Sequence, residues 1–154
     1  GEKMNEEIVN FFRRKHNLLI GERTAEKIKH EIGSAIPGGE EKEMITKGRN
    51  LVSGVPKTLK VTSEDVREAI HESVNACLDA VAKSLENTPP ELGADILDRG
   101  IMLTGGGALL KDLDRMISEA IELPVHVAED PLTTVVRGTG IILENHEEYQ
   151  NSLF

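Results

Sequence analysis

The chain has 154 residues, the size of one ordinary domain and enough to bury a core without a disulfide or metal staple. Eighteen Lys and Arg against 27 Asp and Glu leave a formal charge of −9, which argues against nucleic acid as a partner and against attraction to anionic membrane surfaces. The lone Cys77 excludes an intrachain disulfide and every multi-cysteine metal set, and four aromatics without a Trp leave the core to aliphatic side chains.

In chain order, Ile8, Phe11, Phe12 and Leu19 recur at helical spacing, with Arg13-Arg14-Lys15-His16 beside them as a solvated face. Thr24 is the expected cap of a second helix carrying Ala25, Ile28, Ile32 and Ile36, which ends before Pro37-Gly38-Gly39. Residues 43–49 and 55–61 read as two modest strands joined around Asn50 to Gly54. Thr62 or Ser63 caps the longest element, in which Val66, Ile70, Val74, Cys77, Leu78, Val81 and Leu85 form one stripe; Cys77 is expected to be buried on it. Thr88-Pro89-Pro90 stops that helix, and a short one follows over 90–99, ended by Gly100.

Ile101 to Thr104 reads as an apolar strand running into Gly105-Gly106-Gly107 and a helix from Ala108 to about Ile121. Val125 to Ala128 is a second short strand. Asp130-Pro131 is the expected start of a last helix through Leu132, Val135, Val136 and Leu143, with a polar, fraying tail from Glu144. Residues 101–128 thus form a βαβ unit, and two parallel strands are too few for a stable sheet. The expectation is a piece of a larger α/β protein, or a chain whose sheet is completed by another chain. The start, which carries neither an initiator Met nor the apolar core of a signal peptide, fits the first.

Two features could carry chemistry. The glycine run between strand and helix lets a phosphate, sugar or ring approach the backbone, although neither a Walker loop nor a dinucleotide fingerprint is present; spacing alone leaves a plain turn open. Glu26, Lys29, His30 and Gly33 fall at i, i+3, i+4 and i+7, a polar ridge away from the apolar face of their helix. A solvated face with an early helix end is the plainer reading. No hydrolytic triad and no close histidine ligand spacing occurs, so no catalytic or metal-binding residue is nominated.

The segments Gly21 to Gly33, Thr88 to Leu92, Leu103 to Leu110 and Glu129 to Thr133 closely resemble the MreB family of bacterial actin-like rod-shape proteins, in order and along essentially the whole chain. The resemblance implies an α/β fold, part of one lobe of an actin-like ATPase with an RNase H-like core. Residues 1–20 and 88–154 would be its core subdomain and 21–87 a smaller inserted α+β subdomain. It further implies ATP or ADP with Mg²⁺ in an interlobe cleft. Glu26, Lys27, Ile28 and Lys29, with His30 and Gly33 nearby, would lie at adenine or ribose, and Gly105, Gly106, Gly107 and Ala108 at the sugar and α-phosphate. Implied partners are further copies in filaments, membrane-bound morphogenesis adaptors and the missing first lobe. The place would be the cytoplasm, at the inner face of the cell membrane, without direct membrane insertion by this segment. Fold-mates such as chaperone ATPases and sugar kinases share the glycine turn, and an isolated lobe could also be a non-catalytic interaction module.

Overall fold

A computed structural model describes residues 1–150. Helix α1, Glu2–His16, buries Met4, Ile8, Phe11 and Phe12 on one face. Its basic last turn suits the negative end of the helix, and Asn17 closes it in the left-handed conformation that Asn tolerates, φ 47°. A two-residue strand absent from the sequence reading, β1 (Leu18–Leu19), follows at once. Helix α2, Glu22–Ile32, starts from Gly21, ahead of the expected Thr24 cap, and ends at Gly33, so Ile36 is not on it. The reason is long-range: Ser34 forms a parallel bridge with Lys111, and the Ala35 N–H donates to the Lys111 carbonyl at 2.9 Å.

Strands β2 (Glu43–Asn50) and β3 (Pro56–Thr62) form the expected antiparallel hairpin, and β1 adds to the free side of β2 in the order β1-β2-β3. At its tip the Asn50 side chain accepts the N–H groups of Val52 and Ser53, and Gly54 turns the chain at φ +77°. Helix α3, Ser63–Glu86, opens with a reciprocal capping box between Thr62 and Asp65. Val66, Ile70 and Val74 are buried, but Cys77 is exposed, contrary to the expectation. Beyond Val74 the apolar stripe is only partly covered: Leu78 and Val81 still pack against the core, while Cys77 stands at its exposed edge.

Helix α4, Pro90–Arg99, leads to β4 (Ile101–Leu103), which pairs in parallel with β5 (Val125–Val127) across helix α5, Leu113–Ile121. The βαβ unit is therefore present, but its helix begins later than expected. Gly106–Leu109 form a single 3-10 turn, and α5 starts only after Asp112, at φ 64°. Helix α6, Thr134–Glu144, also starts late, because Asp130 closes a turn first: its carboxylate accepts the Thr133 hydroxyl at 2.5 Å and its carbonyl that of Thr134 at 2.6 Å. The tail expected to fray from Glu144 carries a short helix α7, His146–Tyr149, and its last residues, 151–154, lie outside the described ones.

One continuous apolar cluster joins α1, α2, β3 and the N-terminal half of α3 to Leu110, Leu113, Ile117 and Val125 of the βαβ unit. Helices α4 and α6 contribute no buried residue to it.

Candidate functional site

Where α2 ends against the glycine turn, the fold leaves a pocket of about 120 Å³ lined by Gly1, Met4, Lys29, His30, Gly106, Gly107, Leu109 and Leu110. Its two sides are the two features singled out in the sequence. Met4 and the leucines make apolar walls, while Lys29 and His30 are the polar groups that could fix a ligand's orientation, the usual make-up of a small-molecule site. The N–H groups of Gly106 and Gly107 donate to no backbone carbonyl among the described residues, so two donors are free beside the pocket.

Lys29 is partly withdrawn from water, and that desolvation lowers its pKa below the ordinary 10.5; the nearby Glu26 carboxylate opposes the shift without cancelling it. The ammonium donates to the Gly1 carbonyl at 3.3 Å. A cation short of solvation gains from an anionic or strongly polar ligand more than an exposed one would.

Of the residues named from the sequence, Lys29, His30, Gly106 and Gly107 line this pocket. Glu26 is exposed and acts on it through Lys29. Lys27 is exposed and pairs with Glu31 at 3.7 Å. Ile28 is fully buried in the core, so its side chain packs and cannot meet a ligand there. Ala108 is likewise buried under the turn.

Gly33 is the C-terminal cap of α2. A Cβ there would come within 2.3 Å of the Lys29 carbonyl oxygen, so the residue is fixed by its own helix end, and it lines a neighbouring cavity that shares Lys29, His30 and Leu109. Within the glycine run, positive φ occurs at Gly105, +84°. Gly106 has an ordinary φ, and a Cβ would touch only Leu132 at 3.4 Å. Nor do the glycines open an α-helix, since they belong to the 3-10 turn.

Met4, Leu109 and Leu110 were missed. Met4 stands four residues before Ile8 on the same stripe, so the period could have found it; Leu109 falls within the helix expected from Ala108, whereas α5 begins four residues after it, at Leu113. Among the described residues, no group of three or more His, Cys, Asp or Glu side chains could hold a metal ion. No helix among them is long and apolar enough to cross a membrane.

The family model for MreB/Mbl protein matches residues 1–151. The chain belongs to the MreB/Mbl family. It is 50% identical over 154 residues to the cell shape-determining protein MreB of Escherichia coli K12, covering all of this chain and 44% of that protein. It is 47% identical over 148 residues to Mbl of Bacillus subtilis 168, again 44% of the relative. The chain thus spans less than half the length of these MreB and Mbl relatives.

Among solved structures, MreB5 of Spiroplasma citri bound to ADP superposes with a TM-score of 0.89 at 36% identity, over 97% of this chain and 46% of that one. The same protein bound to AMPPNP gives 0.88 over 99% of this chain. The MamK double helical filament matches at 0.68 and 21% identity, over 84% of this chain and 39% of that one, a likeness of fold. The fold is therefore a partial actin-like ATPase domain. Membership of the MreB/Mbl family sets aside the chaperone and sugar-kinase alternatives.

Proposed function

We propose that this chain is the adenine-side part of an actin-like cytoskeletal ATPase, with the α2–glycine-turn pocket receiving the base and sugar of ATP or ADP. The observation that carries the reading is the meeting of Lys29 and His30 with Gly106 and Gly107 across one small, apolar-walled pocket. MreB5, a relative of closely similar fold, has been solved with ADP and with AMPPNP, which supports it.

In this reading the apolar walls of Met4, Leu109 and Leu110 accept a flat ring, and the bare backbone of Gly106 and Gly107 lets the sugar approach with two N–H donors to spare. Lys29 supplies positive charge beside the base and sugar, with the Glu26 carboxylate near it. Residues 1–20 and 88–154 form the core subdomain and 21–87 the insertion. Mg²⁺, the phosphate hairpins and the water-positioning groups belong to the remainder of the protein, with the first lobe. Phosphoryl transfer depends on such positioning and charge stabilisation, so this chain alone hydrolyses ATP at background rate. The whole protein assembles into filaments at the inner face of the membrane, meets membrane-bound adaptors there, and directs lateral wall synthesis and rod shape.

A calorimetric titration of the chain with ADP tests the site. Gly106→Val, which the ordinary φ tolerates, places a branched side chain on the pocket wall and is expected to weaken binding at least about tenfold, roughly 1.4 kcal/mol, while the melting temperature without ligand holds. Full ADP affinity in that variant refutes the site; no ADP binding by the unaltered chain leaves the interaction-module reading in its place.

A further inference from the structure

The end of α2 is held from outside its own helix. Gly33 closes α2, and the next two residues are fixed to the chain leaving the glycine turn: Ser34 bridges to Lys111, and the Ala35 N–H donates to the Lys111 carbonyl at 2.9 Å. This junction joins the two walls of the pocket. Lys29 and His30 lie within a turn of Gly33 on one side, and Gly106, Gly107, Leu109 and Leu110 stand just before Lys111 on the other. An isolated bridge, with no ladder to either side of it, is a weak tie by itself.

Arg67, in the second turn of α3, supplies what the bridge lacks. Its guanidinium donates through Nη1 to the Ser34 hydroxyl at 3.1 Å and pairs through Nη2 with the Glu41 carboxylate at 2.9 Å. The Glu41 side chain lies half in water, so that arm contributes little energy; it turns the planar fork so that Nη1 meets Ser34. The Ser34 arm is different. Arg67 is only 15% exposed and Ser34 is buried, and a hydrogen bond from a charged donor made away from water is worth more than an ordinary one. The Ser34 hydroxyl donates in turn to the Ile36 carbonyl at 3.4 Å, so it is engaged in both directions and its orientation is fixed.

Ser63, at the head of α3, completes the frame. Its hydroxyl accepts the Lys42 N–H at 3.0 Å and its own N–H donates to the Lys42 carbonyl at 2.9 Å. The segment 34–42 is thus pinned at both ends by the first turns of α3, while its first two residues reach the glycine turn. Helix α3 itself contributes no residue to the pocket.

We propose that Arg67 is a positioning residue for the nucleotide: by holding Ser34 against Lys111 it fixes α2 relative to the glycine turn, and so sets the affinity for ADP without touching it. The proposal rests on the α2–glycine-turn pocket being the nucleotide site.

Calorimetric titration with ADP of the chain, of Arg67→Ala, of Ser34→Ala and of the double variant tests it. Each single change is expected to lower affinity about tenfold, and the double change no further than the stronger single one, because the two residues act through one contact. Arg67→Lys, with a compact ammonium in place of the fork, keeps the charge and one arm and falls between Arg67→Ala and the unaltered chain. Thr62→Ala, which loosens the same helix start at its cap, leaves affinity within about twofold, so lost stability in α3 is told apart from lost position. Without ADP, amide hydrogen exchange in Arg67→Ala is faster at Ala35 and over Gly105 to Leu110, residues outside its own hydrogen bonds. Should Arg67→Ala fail to fold, Ser34→Ala, which deletes one hydroxyl, decides in its place. Full ADP affinity in the single variants, or losses that add in the double one, overturns the positioning role and leaves the site standing. No ADP binding by the unaltered chain overturns the site and this role with it.

Discussion

The first 75 residues and the last 65 of the described chain are built on different terms. In the first, every helix buries a full face: α1, α2 and the start of α3 close around Ile8, Phe12, Ile28, Val66 and Ile70, all without solvent contact. In the last, α4 and α6 bury nothing, and Met102, Leu132, Val135, Val136, Ile141 and Leu143 are exposed. Apolar helices and a two-stranded parallel sheet left in water are faces shaped for contact with something further, whereas in the first region the large exposed apolar side chains, Ile45, Leu51, Val52 and Val55, are confined to the β2–β3 hairpin. The pocket proposed to receive the nucleotide lies at the join, with Lys29 from the closed region and the glycine turn from the open one.

The largest expected effect breaks this comparison if it fails. Phe12→Ala removes a fully buried ring and is expected to cost about 3–5 kcal/mol in urea unfolding, whereas Val136→Ala, on exposed α6, stays within about 0.5 kcal/mol. Equal costs would mean that the open region is packed after all. A smaller loss, about 1–3 kcal/mol for a strained backbone conformation, is expected from Gly100→Ala. Its φ is +76°, and the added Cβ would lie 2.3 Å from the Pro124 carbonyl oxygen. This change sharpens the comparison, since it shows a constraint internal to the open region. Thr62→Ala removes half of the capping box on α3 and should lower stability by about 1 kcal/mol in the same assay.

The smallest effect concerns the join. Because desolvation lowers the pKa of Lys29, its ammonium is lost on alkaline titration earlier than an ordinary lysine's. ADP affinity should therefore decline severalfold as pH rises through that lowered value, and Lys29→Arg, which keeps its charge, should flatten the decline. A profile identical in both proteins would remove Lys29 from the ligand's surroundings.

What was legible in the sequence is what neighbouring residues decide. The capping box at Thr62 and Asp65, the hairpin over 43–62 and the order of the βαβ unit each follow from local signals. What was not legible depends on distant partners. β1 exists because Leu18 and Leu19 meet Asn50 and Arg49; α2 stops where Ser34 turns to Lys111. Cys77 follows the period of a buried stripe yet stands in solvent, since periodicity records which face is apolar and not how far its cover extends. At the pocket, Lys29 and His30 of the polar ridge both line the cavity, while Ile28 shared their stretch of sequence but faces the core. Leu110 entered the pocket through a turn whose 3-10 form no spacing rule signalled.

Amide hydrogen exchange of the chain with and without ADP tests the join most directly. The account predicts that ADP slows exchange in two separated segments at once, Ile28 to Gly33 and Gly105 to Leu110, and leaves α6 over Thr134–Glu144 unchanged. Protection confined to one of the two segments, or appearing on α6 in place of them, would contradict a nucleotide site formed where α2 meets the glycine turn.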